Sequence, residues 1–92
     1  PAQSVASEVR AAAAYGLGET LLRDGRFEVA VAALTLFVAQ YPEDSRLPWA
    51  HFLRGDARLG MQEWDAAIQD FEQYRALRPG ITAGVSSGRM TT

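Results

Sequence analysis

Residues 17–42 read LGETLLRDGRFEVAVAALTLFVAQYP, and residues 54–79 read RGDARLGMQEWDAAIQDFEQYRALRP. Gly18, Ala30, Leu34 and Pro42 in the first stretch are answered by Gly55, Ala67, Phe71 and Pro79 in the second. Each of these residues stands 37 positions before its counterpart. A repeat with a period of about 20–50 residues marks a stacked architecture, because one unit cannot bury its apolar face without a neighbour.

Each unit reads as two helices. Residues from about Ser7 to Arg23 are rich in Ala and Leu, both strong helix formers, with Ser7 as the expected N-cap. Asp24-Gly25-Arg26 is a turn. From Phe27 to Gln40 the apolar residues Phe27, Ala30, Val31, Leu34, Phe37 and Val38 recur at helical spacing and form one stripe. The segment from Tyr41 to Pro48 holds a proline near each end and separates the units. A third helix is expected from Pro48 to about Leu59, with Gly60 as its C-cap. The fourth is expected to run from about Glu63 or Trp64 to Leu77, with Trp64, Ala67, Ile68, Phe71, Tyr74 and Leu77 inward. Residues 81–92 are rich in Gly, Ser and Thr and read as a flexible tail. Strand-like alternation is missing throughout, so the fold class is all-α.

Composition removes several classes of function. The net charge is −2, against the basic excess of a nucleic-acid binder. With 0 Cys there are no disulfides, no thiolate chemistry and no Cys-based metal sites. His51 is the only histidine, too few for a multi-His zinc site. All 9 basic residues are Arg, which leaves no lysine for a Schiff base or a phosphate loop. No apolar run reaches the ~18 residues of a membrane span. No catalytic, metal or cofactor site is expected.

The repeat resembles the tetratricopeptide repeat family, whose units are helix-turn-helix pairs of about 34 residues. In the first unit Leu17-Gly18, Leu21, Phe27, Ala30, Leu34, Phe37 and Pro42 carry the resemblance; in the second, Gly55, Ala57, Trp64, Ala67, Phe71, Tyr74 and Pro79. It implies a right-handed stack of two hairpins, one domain over residues 1–80, with units at about 11–44 and 48–81. It also implies that Gly18 faces Ala30 and Gly55 faces Ala67 where the helices cross. Departures occur at Ala14 and His51, where the family places a large aromatic, and at Arg54 and Arg58, where it places Leu and Tyr. Those two arginines either weaken the packing of the third helix or mark it as facing water or a partner, and Arg58 can lie over Trp64 or equally meet a partner acid. His51 is expected to be a partly buried structural residue. The tracts Tyr15–Glu19 and Tyr41–Ser45 are similar to units of bacterial envelope proteins that coordinate outer-membrane assembly or cell-wall synthesis. The compartment stays open between bacterial periplasm and cytoplasm.

In this family the first helix of each pair lines a concave groove that binds a protein or peptide. The resemblance places Ala12, Tyr15, Glu19, Leu22 and Arg23 there from the first unit, and Trp49, Phe52, Asp56 and Leu59 from the second. Each set recurs at steps of three or four residues, so each occupies one helix face. Aromatic anchors within a polar rim supply most of the energy of such a groove. The same aromatics read equally as core packing. Glu19 and Asp56 read as solvated groove charges or Arg partners before an acid–base pair. The family's clamp for a C-terminal carboxylate uses Lys and Asn, and this sequence has neither. The back of the fourth helix is expected to lack cover, which leaves three remedies: the chain is a fragment, it self-associates, or a partner supplies a helix. The leading expectation is a non-enzymatic interaction module. Its alternatives are a self-assembling unit that uses the fourth helix and a cytosolic secretion chaperone.

Overall fold

The computed structural model describes residues 2–78, with side chains from residue 5 onward. These residues form four helices: α1 (Ala2–Arg23), α2 (Phe27–Gln40), α3 (Leu47–Gly60) and α4 (Trp64–Leu77). Each helix packs on the next, and α1 also meets α3, giving two hairpins laid side by side. The tail expected over residues 81–92 lies outside the described residues.

The hairpins repeat in detail. α2 and α4 begin and end at residues 37 apart. Gly25 (φ 78°) and Gln62 (φ 62°) make the same left-handed elbow. The next residues, Arg26 (φ −91°, ψ 73°) and Glu63 (φ −95°, ψ 75°), start the second helix of each pair with nearly the same backbone. Glycine occupies the first elbow at no steric cost, whereas Gln62 bears the Cβ penalty of that conformation.

The core gathers Ala11, Leu34, Phe37 and Ala50 from the first three helices, with Tyr15, Val38, Tyr41 and Leu53 packed around it. Burying Leu34 and Phe37 fully stabilises the fold by roughly 1.5–3 kcal/mol each. Close helix approach depends on glycine. A Cβ on Gly18 would stand 2.5 Å from Leu34 Cδ2, and one on Gly55 would stand 2.7 Å from the Phe71 ring. The nearest groups to the two glycines are therefore Leu34 and Phe71, one turn beyond Ala30 and Ala67. Both alanines are themselves fully buried.

Three local expectations are corrected. Ser7 lies inside α1, which continues back to Ala2 because no breaker interrupts Gln3–Ala6. Gly60 is the last residue of α3 rather than its cap, and it is small because the Phe27 ring would lie 2.6 Å from its Cβ. On α4, Trp64, Ile68 and Leu77 are exposed, since no described helix follows to cover them.

Candidate functional site

Asp70 is the buried acid among the described residues, 2% exposed in the middle of α4. Arg54 Nε donates to Oδ1 (3.1 Å) and Oδ2 (3.0 Å), and Arg54 Nη2 donates to Oδ1 (2.8 Å). Arg58 Nη1 donates to Oδ2 at 2.8 Å. His51, itself buried, places Nδ1 3.2 Å from Oδ1 and donates there with its proton on that nitrogen. Arg54 also reaches α2, where Nη1 donates to Thr35 Oγ1 at 3.1 Å. One carboxylate thereby ties α3 to α4, and one guanidinium ties both to α2.

Burial alone would raise the Asp70 pKa. The hydrogen bonds from Arg54 and His51 and the charges of Arg54 and Arg58 outweigh it and hold the carboxyl below its ordinary value. A carboxylate held so firmly in its ionised form is a poor base. Its work is to fix helix positions.

This cluster corrects the expectation for Arg54 and Arg58. Both turn onto Asp70, and Arg58 meets that acid rather than Trp64. Their side chains are 13% and 23% exposed. The cause is the acid beneath them, which offers charge-assisted bonds that neither water nor an indole face matches in a dry site. His51 occupies the buried structural place expected of it.

The residues assigned to the groove divide into two ring clusters. Tyr15 packs edge-on to Phe37 at 5.7 Å, and Phe37 meets Tyr41 at 5.3 Å. Trp49 leans on Tyr74 at 5.1 Å, while Phe52 meets Tyr74 at 4.9 Å and Phe71 at 5.7 Å. Among the described residues no ring contact joins Tyr15 to Trp49 or Phe52. Tyr15 and Phe52 are half-buried and hold their own hairpins together. Trp49 keeps 46% of its surface exposed. Glu19 and Arg23 are exposed, Leu22 and Asp56 half-buried, and Leu59 39% exposed.

Two further residues shape this face. Arg78 lies over the Tyr74 ring at 4.7 Å, and its Nη1 donates to Tyr74 Oη at 2.7 Å. Arg46 is held by Asp44, which accepts its backbone N–H at 2.8 Å and its Nη1 at 3.0 and 3.1 Å. Burial and then the charge of Glu19 raise the Tyr15 pKa, and Arg46 opposes them. Arg46 and Glu19 therefore both act on the Tyr15 hydroxyl. A cation two residues after an acid in a loop was the available sequence signal for Arg46.

The tetratricopeptide repeat family model matches residues 12–44 and again residues 49–80. The chain belongs to the tetratricopeptide repeat family. Tetratricopeptide repeats act as protein-interaction modules, and the stacked hairpins of this chain follow that design. No match emerges among curated proteins or among solved structures. Among the described residues no helix is long and apolar enough to cross a membrane, and no group of three His, Cys, Asp or Glu side chains could hold a metal ion.

Proposed function

We propose that this tetratricopeptide repeat protein is a non-enzymatic adaptor that holds an extended or helical segment of a partner protein against the face of α1 and α3. One observation supports this most: Trp49 presents nearly half its surface to water while its ring is steadied by Tyr74 and, through it, Arg78. An anchor fixed before binding loses little freedom on binding. Asp56 follows two helical turns along α3, Glu19 holds the matching place on α1, and Leu22, Arg23 and Leu59 lie at the C-terminal ends of the two helices. Burying the rest of Trp49 would stabilise a complex by roughly 1.5–3 kcal/mol. Peptides selected from a random library on the wild-type protein provide the test, followed by calorimetry against Trp49→Ala. Trp49→Ala should weaken them by about tenfold or more, with circular dichroism at the assay temperature showing the helices retained. Equal affinity for both proteins would sink the idea. Phe52→Ala is a poorer probe, since Phe52 also packs the second hairpin.

Exposed Trp64 and Ile68 on α4 support a second role, assembly with other copies or with a client helix, as a secretion chaperone would. Light scattering over a range of concentrations tests self-assembly. The motifs at Tyr15–Glu19 and Tyr41–Ser45 suggest a bacterial envelope complex as the setting.

A further inference from the structure

All 11 acids of the sequence lie between Glu8 and Glu72, within the described residues. Asp70 takes Arg54 and Arg58, and Asp44 takes Arg46. Arg78 is held differently. Its guanidinium lies over the Tyr74 ring, and its Nη1 donates to the neutral Tyr74 hydroxyl at 2.7 Å. Its Nε is buried with no acceptor among the described residues. No ion pair joins Arg78 to a carboxylate among them, and residues 79–92 contain no Asp or Glu. Arg10, Arg23 and Arg26 are exposed to water, whereas Arg78 is half-buried. Coulomb attraction grows as the local dielectric falls, so this guanidinium gains more from an acid than a hydrated one does. Tyr74 sets where that acid must stand. The Trp49 ring lies 5.1 Å and the Arg78 guanidinium 4.7 Å from the Tyr74 ring, so the two are at most about 10 Å apart. Contacts between α3 and α4 run in order: Phe71 meets Gly55 and Phe52, and Tyr74 meets Phe52 and Trp49. Arg78, one turn beyond Tyr74, therefore stands past Trp49 toward the start of α3. Asp56 stands two turns away on the other side of Trp49, too far to neutralise it.

We propose that the segment held by this face is an extended stretch of another protein in which an apolar residue seated on Trp49 stands two residues from an Asp or Glu that pairs with Arg78. This rests on the binding face proposed above and names the chemistry of its occupant. In an extended chain, residues two apart point to the same side about 7 Å from one another, which matches the span from the indole to the guanidinium. The pair is charge-assisted, with the outer Nη2 edge of Arg78 as donor. It lies at the end of α4, outside α1 and α3, and takes a side-chain carboxylate within a segment rather than a chain terminus. A second copy does not supply it. Every acid of this chain lies in a helix or in the connections 24–26, 41–46 and 61–63, which turn rather than extend.

Random dodecapeptides displayed on phage test this, each with a central Leu and only Asp or Asn allowed two residues to either side. Selection on the wild-type protein should enrich Asp. Synthetic, end-blocked winners should bind about fivefold more weakly by calorimetry when that Asp is replaced by Asn, the scale of a favourable exposed ion pair. On Arg78→Gln the Asp and Asn peptides should bind alike. On Arg26→Gln, which removes an exposed cation elsewhere, the fivefold gap should persist. If Arg78 only steadied Tyr74 and Trp49, its loss would weaken both peptides equally and keep the gap. Enrichment of Asn as often as Asp, or a gap that survives Arg78→Gln, overturns the proposal. Peptides that need Trp49 but ignore Arg78 sink it alone. Peptides indifferent to Trp49→Ala, or no selected peptide at all, sink the binding face and the proposal together. So does a dimer, seen by sedimentation, that excludes the peptides.

Discussion

Replacing Asp70 by Asn preserves shape and removes the charge on which Arg54, Arg58 and His51 converge. The amide would turn an NH2 donor toward groups that are all donors, so at least one bond becomes a clash. Removing one partner of a buried ion pair costs about 3–5 kcal/mol. Arg54 and Arg58 keep 13% and 23% exposure and can swing partly into water, which places the loss at the lower end, ~3 kcal/mol. For a domain of this size that is a fall in Tm of roughly 12–24 °C. Urea unfolding followed by circular dichroism reads it directly. The first hairpin supplies the control, because His51, Arg54, Arg58 and Asp70 stand 37 residues after Ala14, Leu17, Leu21 and Ala33. Grafting those four small or apolar residues together should recover at least half of the Asn loss, since a buried ion cluster replaced whole is often neutral. If Asp70→Asn is as stable as wild type, or if the fourfold graft is worse than the single change, the cluster does not hold the hairpin as described.

The remaining predictions are local. Gly16→Ala should stabilise α1 by ~0.5–1 kcal/mol, because a Cβ there meets nothing within 4 Å. Gly18→Ala should instead cost ~1–3 kcal/mol, because its Cβ would drive into fully buried Leu34; thermal melts of the two variants should shift in opposite directions. Gln62→Gly should raise stability by ~0.5–1 kcal/mol, since it relieves a left-handed residue, and Gly25→Ala should do the reverse at the matching elbow. A carboxyl whose folded pKa lies below its unfolded one binds fewer protons when folded. Asp70 therefore stabilises the fold above its unfolded value of ~3.9, and that contribution fades as pH falls through its lower folded value. Acid titration of Asp70→Asn should lack this component, so the gap between variant and wild type should narrow below about pH 4.

The helices were legible because the 37-residue offset fixes both hairpins at once, and Gly25 announces the elbow. The helix positions of the residues assigned to a groove were legible, their packing less so. Spacing puts Tyr15, Trp49 and Phe52 on helix faces, but it does not say that Tyr15 and Phe52 would turn toward Phe37 and Tyr74. Asp70 was missed because one acid between Ala67 and Phe71 looks like an ordinary solvent-side residue of an amphipathic helix. The signal was present as a set: His51, Arg54 and Arg58 place donors at three positions where an apolar residue belongs, and Asp70 places an acceptor where the first unit has Ala33. Reading departures in pairs, rather than singly, recovers the cluster. The lack of cover on the back of the fourth helix was foreseen, but Trp64 and Ile68 were expected inward and are the residues it leaves exposed.

The two seams of the molecule are made of different materials. Between α1 and α2 the contact is oily, Leu34 and Phe37 against Ala11 and Tyr15; between α3 and α4 a salt-like knot at Asp70 shares the load. Apolar cohesion weakens on cooling, and the desolvation cost of a buried ion cluster rises on cooling as well. Chilled, both seams should therefore lose strength together, and neither half is left to hold the other in register.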